Sequence, residues 1–155
     1  MANVFDVAKH ILKKEGKMTA MKLQKLCYYS QAWHLVWEEK RLFDNEIQAW
    51  ENGPVSPDLY QWHKGQFIVE RDALLDELCM NNLKDNEEES IDSVLRDYRQ
   101  YTAQQLSDLT HQEKPWRETY NKYKTLSGRC DAEISINLMH EFYSGLLPDN
   151  VEEEE

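Results

Sequence analysis

A mainly α fold with a small β-hairpin, built as a compact helical domain around a central buried helix at about residues 20–38, is what this sequence predicts. Three observations carry that expectation. First, Lys22–Trp37 (KLQKLCYYSQAWHLVW) is apolar on two sides: at about 100° per residue Leu23, Leu26, Cys27, Ser30, Trp33, His34 and Trp37 share one stripe, and Tyr28, Ala32, Leu35 and Val36 cover much of the other. A helix that is apolar on two sides must be covered on two sides. Its polar remainder is one narrow line, Gln24, Gln31 and Glu38, seven residues apart. Second, most other segments repeat apolar residues at helical spacing behind capping residues. Third, strand-like alternation is confined to short stretches, Glu46–Glu51 and Phe67–Val69.

Along the chain, Asn3 is placed to cap a first helix carrying Val4, Val7, Ala8, Ile11 and Leu12, which Gly16 stops. Thr19 caps the central helix. In ENGPVSP, Gly53-Pro54 reads as a turn, and Ser56-Pro57 as an N-cap followed by proline at the first helical position, opening a helix to about Lys64 that Gly65 closes. Asp72–Asn81 is expected as a short helix. The acidic run Asp85–Glu89 caps another from about Glu87 to Tyr101, burying Ile91, Val94, Leu95 and Tyr98. Thr102 and Gln105 have capping-box spacing ahead of Ala103–Thr110, which turns Leu106 and Leu109 inward. Pro115 starts a helix through Trp116 and Tyr120, broken at Ser127-Gly128. Asp131 is expected to cap a last helix to about Tyr143. The reading is one domain over 1–146 and an acidic, disordered tail over 147–155.

At 155 residues and 41% apolar content the chain can bury a real core without a second domain. It has neither a membrane-length apolar run nor a signal peptide, so a cytoplasmic protein is expected, with no membrane partner. Cys27, Cys79 and Cys130 are an odd, widely spaced set, read as reduced thiols and not as a disulfide or zinc framework. Residues 1–50 carry net +2, residues 51–100 net −7 and residues 101–155 net −6, giving −11. That balance makes nucleic acid an unlikely direct partner; it would attract basic proteins, but from composition alone the preferred reading is that it keeps the protein soluble. The locally basic face Lys9, Lys13, Lys14, Lys17, Lys22 and Lys25 reads as a solvated helix face.

No catalytic constellation stands out. His111 and Glu113 in LTHQEKPW are weak acid-base candidates, because His-x-Glu places the two side chains on different helix faces. The structural alternative, in which both serve a helix end while Trp116 fills the core, is preferred. His34 lacks a ligand partner at i+4 and reads as a hydrogen-bonded core residue. His10, His63 and His140 show no mutual spacing, Ser30 and Ser56 lack a nucleophile elbow, and five glycines form no phosphate loop. Neither a cofactor nor a metal is expected. Tyr28, Tyr29, Trp33, Trp37, Trp50 and Trp62 read mainly as core, yet they are too many to bury around one helix, so some are expected in an interaction surface.

Three stretches in series, KLQKLCYYSQAWHL (22–35), IQAWENGPVSPDLY (47–60) and LSDLTHQEKPWRE (106–118), resemble the Panacea, or SocA-like, antitoxin domain, over about residues 4–143. By that resemblance the first block (Lys22, Leu23, Lys25, Leu26, Tyr28, Gln31, Trp33, His34) is the central helix. The second (Trp50, Gly53, Pro54, Val55, Tyr60) follows it, and the third (Leu109, Thr110, His111, Glu113, Pro115, Trp116) closes the domain. These are structural or interaction positions. Ile68–Leu83 does not match the pattern. Family members resemble one another in being encoded by prophages and bacterial genomes beside toxin genes and in pairing with many unrelated toxins. The resemblance therefore implies a non-enzymatic antitoxin that binds a cognate protein toxin. Its alternatives are a proteolytic adaptor handing the toxin to an ATP-dependent protease, an enzyme reversing the toxin's modification, and a DNA-binding autorepressor. Neither the toxin's identity nor an oligomeric state is set by the residues.

Overall fold

Seven helices and two short antiparallel ladders make up the described residues of this computed structural model, 1–73, 76–80 and 83–147. The helix α1 (Val4–Glu15) begins at a capping box in which Asn3 and Asp6 satisfy each other's backbone N–H groups, and it ends at Gly16. A two-residue strand β1 (Met18–Thr19) leads into α2 (Ala20–Glu38), which Thr19 caps through the Lys22 N–H. The helix α2 packs against α1, α4 (Asp85–Tyr98), α5 (Ala103–Gln112) and α7 (Ile136–Ser144). Leu23, Leu26, Cys27, Tyr28, Tyr29 and Ala32 are wholly buried, so the doubly apolar helix is covered on both sides. The C-terminal end of its stripe is not: Trp37 is exposed and stacks on half-buried Trp33 at 5.5 Å.

Two of the three residues in the polar line of α2 do not face water. Gln24 and Gln31 are buried, each carboxamide bridging a backbone that passes beside the helix. Gln31 accepts from the Leu42 N–H at 2.7 Å and donates to the Phe43 carbonyl at 2.7 Å. Gln24 accepts from the Ser56 N–H at 2.8 Å and donates to the Ser56 carbonyl at 3.2 Å. Buried irregular backbone needs partners, and the two glutamines supply them.

The hairpin pairs β2 (Gln48–Trp50) with β3 (Gly53–Val55) in the register Gln48 to Val55, Ala49 to Pro54 and Trp50 to Gly53. Its loop is Glu51-Asn52, so Gly53-Pro54 is strand and not the expected turn. Gly53 is required for another reason: at φ 126° a Cβ there would lie 2.6 Å from Lys25 Cε. The helix α3 (Pro57–His63) follows its Ser56 cap. The strand β4 (Ile68–Val69) pairs with β1, Met18 to Val69 and Thr19 to Ile68.

Three further boundaries differ from expectation. No helix forms among the described residues of 72–81; Leu74, Leu75 and Asn81 lie outside them. Side chains of α1 and of its cap tether that segment instead, with Asp6 accepting the Met80 N–H at 3.0 Å and Asn3 donating to the Leu78 carbonyl at 2.8 Å. The helix α4 starts at Asp85 and stops at Tyr98, where the Arg99 carbonyl is taken by Lys22 Nζ at 2.7 Å. Asp131 does not cap α7. The Ala132 carbonyl accepts from the Ala49 N–H and the Ile134 N–H donates to the Ile47 carbonyl, both at 2.8 Å, so this stretch lies along β2 and α7 starts only after Ser135. The helix α6 (Lys114–Tyr123) has Pro115 in its first turn as expected. Of the tail expected over 147–155, residues 148–155 lie outside the described residues. No helix among those described is long and apolar enough to cross a membrane.

Replacing Gln31 by Ala strands two buried backbone groups and is expected to cost about 2–4 kcal/mol. Urea unfolding should show a lower midpoint with an unchanged slope. A loss below about 1 kcal/mol would mean that water substitutes for the amide.

Candidate functional site

Two polar constellations are built on α2. The first is buried. Glu113, at the junction between α5 and α6, accepts from Tyr29 Oη at 2.8 Å and Tyr143 Oη at 2.7 Å, and Tyr28 Oη lies 3.0 Å from Tyr143 Oη. Burial pushes the Glu113 carboxyl above its ordinary value, against the opposing pull of the two tyrosine hydrogen bonds. Burial likewise raises Tyr28, Tyr29 and Tyr143, and Tyr98 to about 12. The rings interlock edge to face, Tyr28 on Tyr29 at 5.2 Å and Tyr29 on Tyr143 at 6.1 Å, while Tyr98 stacks on Tyr29 at 4.3 Å and accepts from Trp33 Nε1.

His111 does not meet Glu113. Its ring stacks on Trp116 at 3.9 Å and its Nε2 is buried without a hydrogen-bond partner among the described residues. Trp116 Nε1 donates to the Trp50 carbonyl at 2.7 Å, so this part of the third motif holds the hairpin. His34, buried, bonds Ser90 Oγ at 2.7 Å, and burial lowers its pKa. No group of three or more His, Cys, Asp or Glu among the described residues is placed to hold a metal ion.

The second constellation is a cavity of about 630 Å³ between the first turns of α2, the hairpin, α3 and residues 129–131. Trp50 meets Tyr60 edge-on at 5.0 Å, and Tyr60 meets His63 at 5.4 Å. Gln24 Nε2 lies 3.0 Å from His63 Nε2. Because the Gln24 oxygen accepts from Ser56, its nitrogen must donate, which leaves His63 Nε2 as the acceptor of a neutral ring. Burial lowers His63 in the same sense, and the charge of Lys25 adds to it. Burial also lowers His111, and there the charge of Lys25 is the next cause.

Lys25 is the centre of this arrangement. It is 1% exposed, its stem lies against Gly53, and no hydrogen bond or ion pair joins it to another described residue. Burial alone pushes its ammonium down to about 8 from 10.5. The other motif residues have mechanical roles. Leu23 and Leu26 are core, Thr110 Oγ1 donates to the Ser107 carbonyl, and Lys22 ties α2 to the end of α4. Pro54, Val55 and Pro115 are buried where the hairpin and α6 meet the core, and Leu109 is half-buried.

A family model for the antitoxin SocA-like Panacea domain matches residues 23–117. The chain belongs to this family. No curated protein and no solved structure matches it. Panacea membership gives the chain an antitoxin-type domain and a toxin as its class of partner, and it points away from enzymatic function. The matched span runs from α2 into α6 and takes in Gln24, Lys25, Gln31, Gly53, Glu113 and Trp116; α1 and α7 lie outside it. The sequence places Lys25 and Gly53 in separate motif blocks with no sign that one presses on the other, and it marks Gln24 only as part of a polar line and His63 only as a histidine without a spaced partner. The heptad spacing of Gln24 and Gln31 was the available signal.

The Lys25 ammonium holds fewer protons folded than unfolded between pH 8 and 10.5, so its contribution to stability rises as pH rises through that window and is at its most unfavourable below pH 8. Lys25→Met is therefore expected to gain up to about 3 kcal/mol at pH 7, an excess that shrinks toward pH 10. Parallel urea melts of the two proteins at pH 7, 8, 9 and 10 measure it; a constant difference would place the charge in contact with water.

Proposed function

We propose that this Panacea chain is a cytoplasmic antitoxin that neutralises a cognate protein toxin by binding it directly and masking its active surface. The family match is the observation that carries the reading. Exposed apolar residues support a contact face: Phe67 is 76% exposed, and Met21 and Ile68 flank it at 38% and 39%. The Ala20 N–H donates to the Phe67 carbonyl at 2.9 Å, so the backbone under that ring is fixed to the start of α2. A preorganised aromatic flanked by aliphatic side chains is the composition of an interface anchor. The formal charge of −11 favours a basic partner and speeds encounter with it. The same charge weighs against DNA binding.

Coexpression with the product of the adjacent open reading frame should yield a complex that elutes together. Phe67→Asp should weaken that complex at least tenfold with an unchanged thermal midpoint, because the ring buries little in the free chain. Toxin half-life distinguishes masking, in which the bound toxin persists, from delivery to an ATP-dependent protease, in which it shortens. Neutralisation without any complex would refute direct binding.

A further inference from the structure

We infer that the cavity beside Lys25 is a binding site for a small molecule carrying one anionic oxygen group, carboxylate or phosphate, on a flat apolar body. Lys25 pairs with the anion and the Trp50–Tyr60 wall receives the body.

The argument starts from an unbalanced charge. Lys25 is 1% exposed with its stem against Gly53, yet its Nζ is not fully enclosed as the unpaired His111 Nε2 is. The ammonium therefore reaches the cavity that its residue lines. An unpaired buried ammonium is costly unless something neutralises it. Acids are abundant in this chain and two of them, Glu51 and Asp131, stand in the cavity wall. Neither offsets the effect of burial on Lys25, which is the sole cause of its lowered pKa. The neighbouring ring nitrogens add no negative charge: His63 is held neutral by Gln24, and the carboxamide of Gln24 is itself occupied by Ser56 and His63. Three N–H donors on one cation are thus left for a guest.

The walls define the rest of the guest. At about 630 Å³ the cavity is in the range that small-molecule sites occupy. The edge-on chain Trp50–Tyr60–His63 presents ring edges and faces suited to a planar apolar group. Gly53 supports the position of the cation, because any side chain there would displace the lysine stem. The site belongs to the free chain and is tested without toxin.

The probes are benzoate, phenyl phosphate and, as a neutral control of similar shape, benzamide, each titrated into the protein while the Trp50 indole resonance and the Lys25 Cε titration are followed by NMR. The two anions should shift Trp50 saturably, bind at least tenfold more tightly than benzamide, and move the Lys25 midpoint upward by one pH unit or more. In Lys25→Met the tenfold advantage should vanish, with circular dichroism confirming the fold; Gly53→Ala, which displaces the lysine stem, should reduce it. Equal binding of anions and benzamide, or an advantage that survives Lys25→Met, would overturn the assignment. So would silence from all three probes on the free protein.

Discussion

Everything else in this fold depends on how α2 satisfies backbone that is not in regular structure. The segments 42–43 and 56 cross the helix inside the protein, where an unpaired N–H or C=O is expensive. Gln31 and Gln24 meet them with carboxamides that act as substitute peptide groups, each giving one donor and accepting one. A carboxamide does this without charge, so it adds no desolvation of an ion. The seven-residue spacing puts both amides on one line of the helix, and the chain between Leu42 and Ser56 is thereby fixed at two points. The hairpin lies between those points, and that is why a ladder of three residues can persist where an isolated one would not.

The two tyrosines of α2 pose a different problem. Tyr28 and Tyr29 bring two hydroxyl groups into the core, and each needs a partner. Glu113 can accept from Tyr29 and Tyr143 together because it stands at the break between α5 and α6, where the backbone turns its side chain inward. One carboxylate thus joins α2, α7 and the α5–α6 corner. Its His neighbour in sequence faces elsewhere and stacks on Trp116. The LTHQEKPW block therefore works as two anchors, one into the tyrosine network and one onto the hairpin, and the close sequence spacing of His111 and Glu113 reflects that corner.

The helices and their caps were legible because capping and apolar periodicity are local: Asn3, Thr19, Ser56 and Thr102 all cap where their spacing placed them. What misled was competition from distant groups. Ala132 and Ile134 lie beside β2 because Ile47 and Ala49 offer them hydrogen bonds, which no local pattern around Asp131 announces. Residues 76–80 are tied to Asn3 and Asp6 in the same way. For the cavity, the sequence showed a lysine in a motif and a glycine near a proline. That the glycine exists to admit the lysine stem is a tertiary fact, since the two are 28 positions apart in the chain.

The charge distribution gives these features a common sense. The acidic excess sits mainly in the last two thirds of the sequence, whereas the buried Lys25, which has no partner among the described residues, sits on α2, in the first third. A protein with so many carboxylates could have neutralised Lys25 internally at the cost of one side chain. Filling that position with a carboxylate would have closed the cavity and fixed His63 and His111 beside an ion pair. Leaving it open keeps a cation inside an otherwise acidic surface, where surrounding negative charge repels most anions and only one that also fits the aromatic wall gains enough to enter. The motif span therefore does more than build a platform for the exposed Phe67 rim: it keeps a selective, charged cavity directly beneath it.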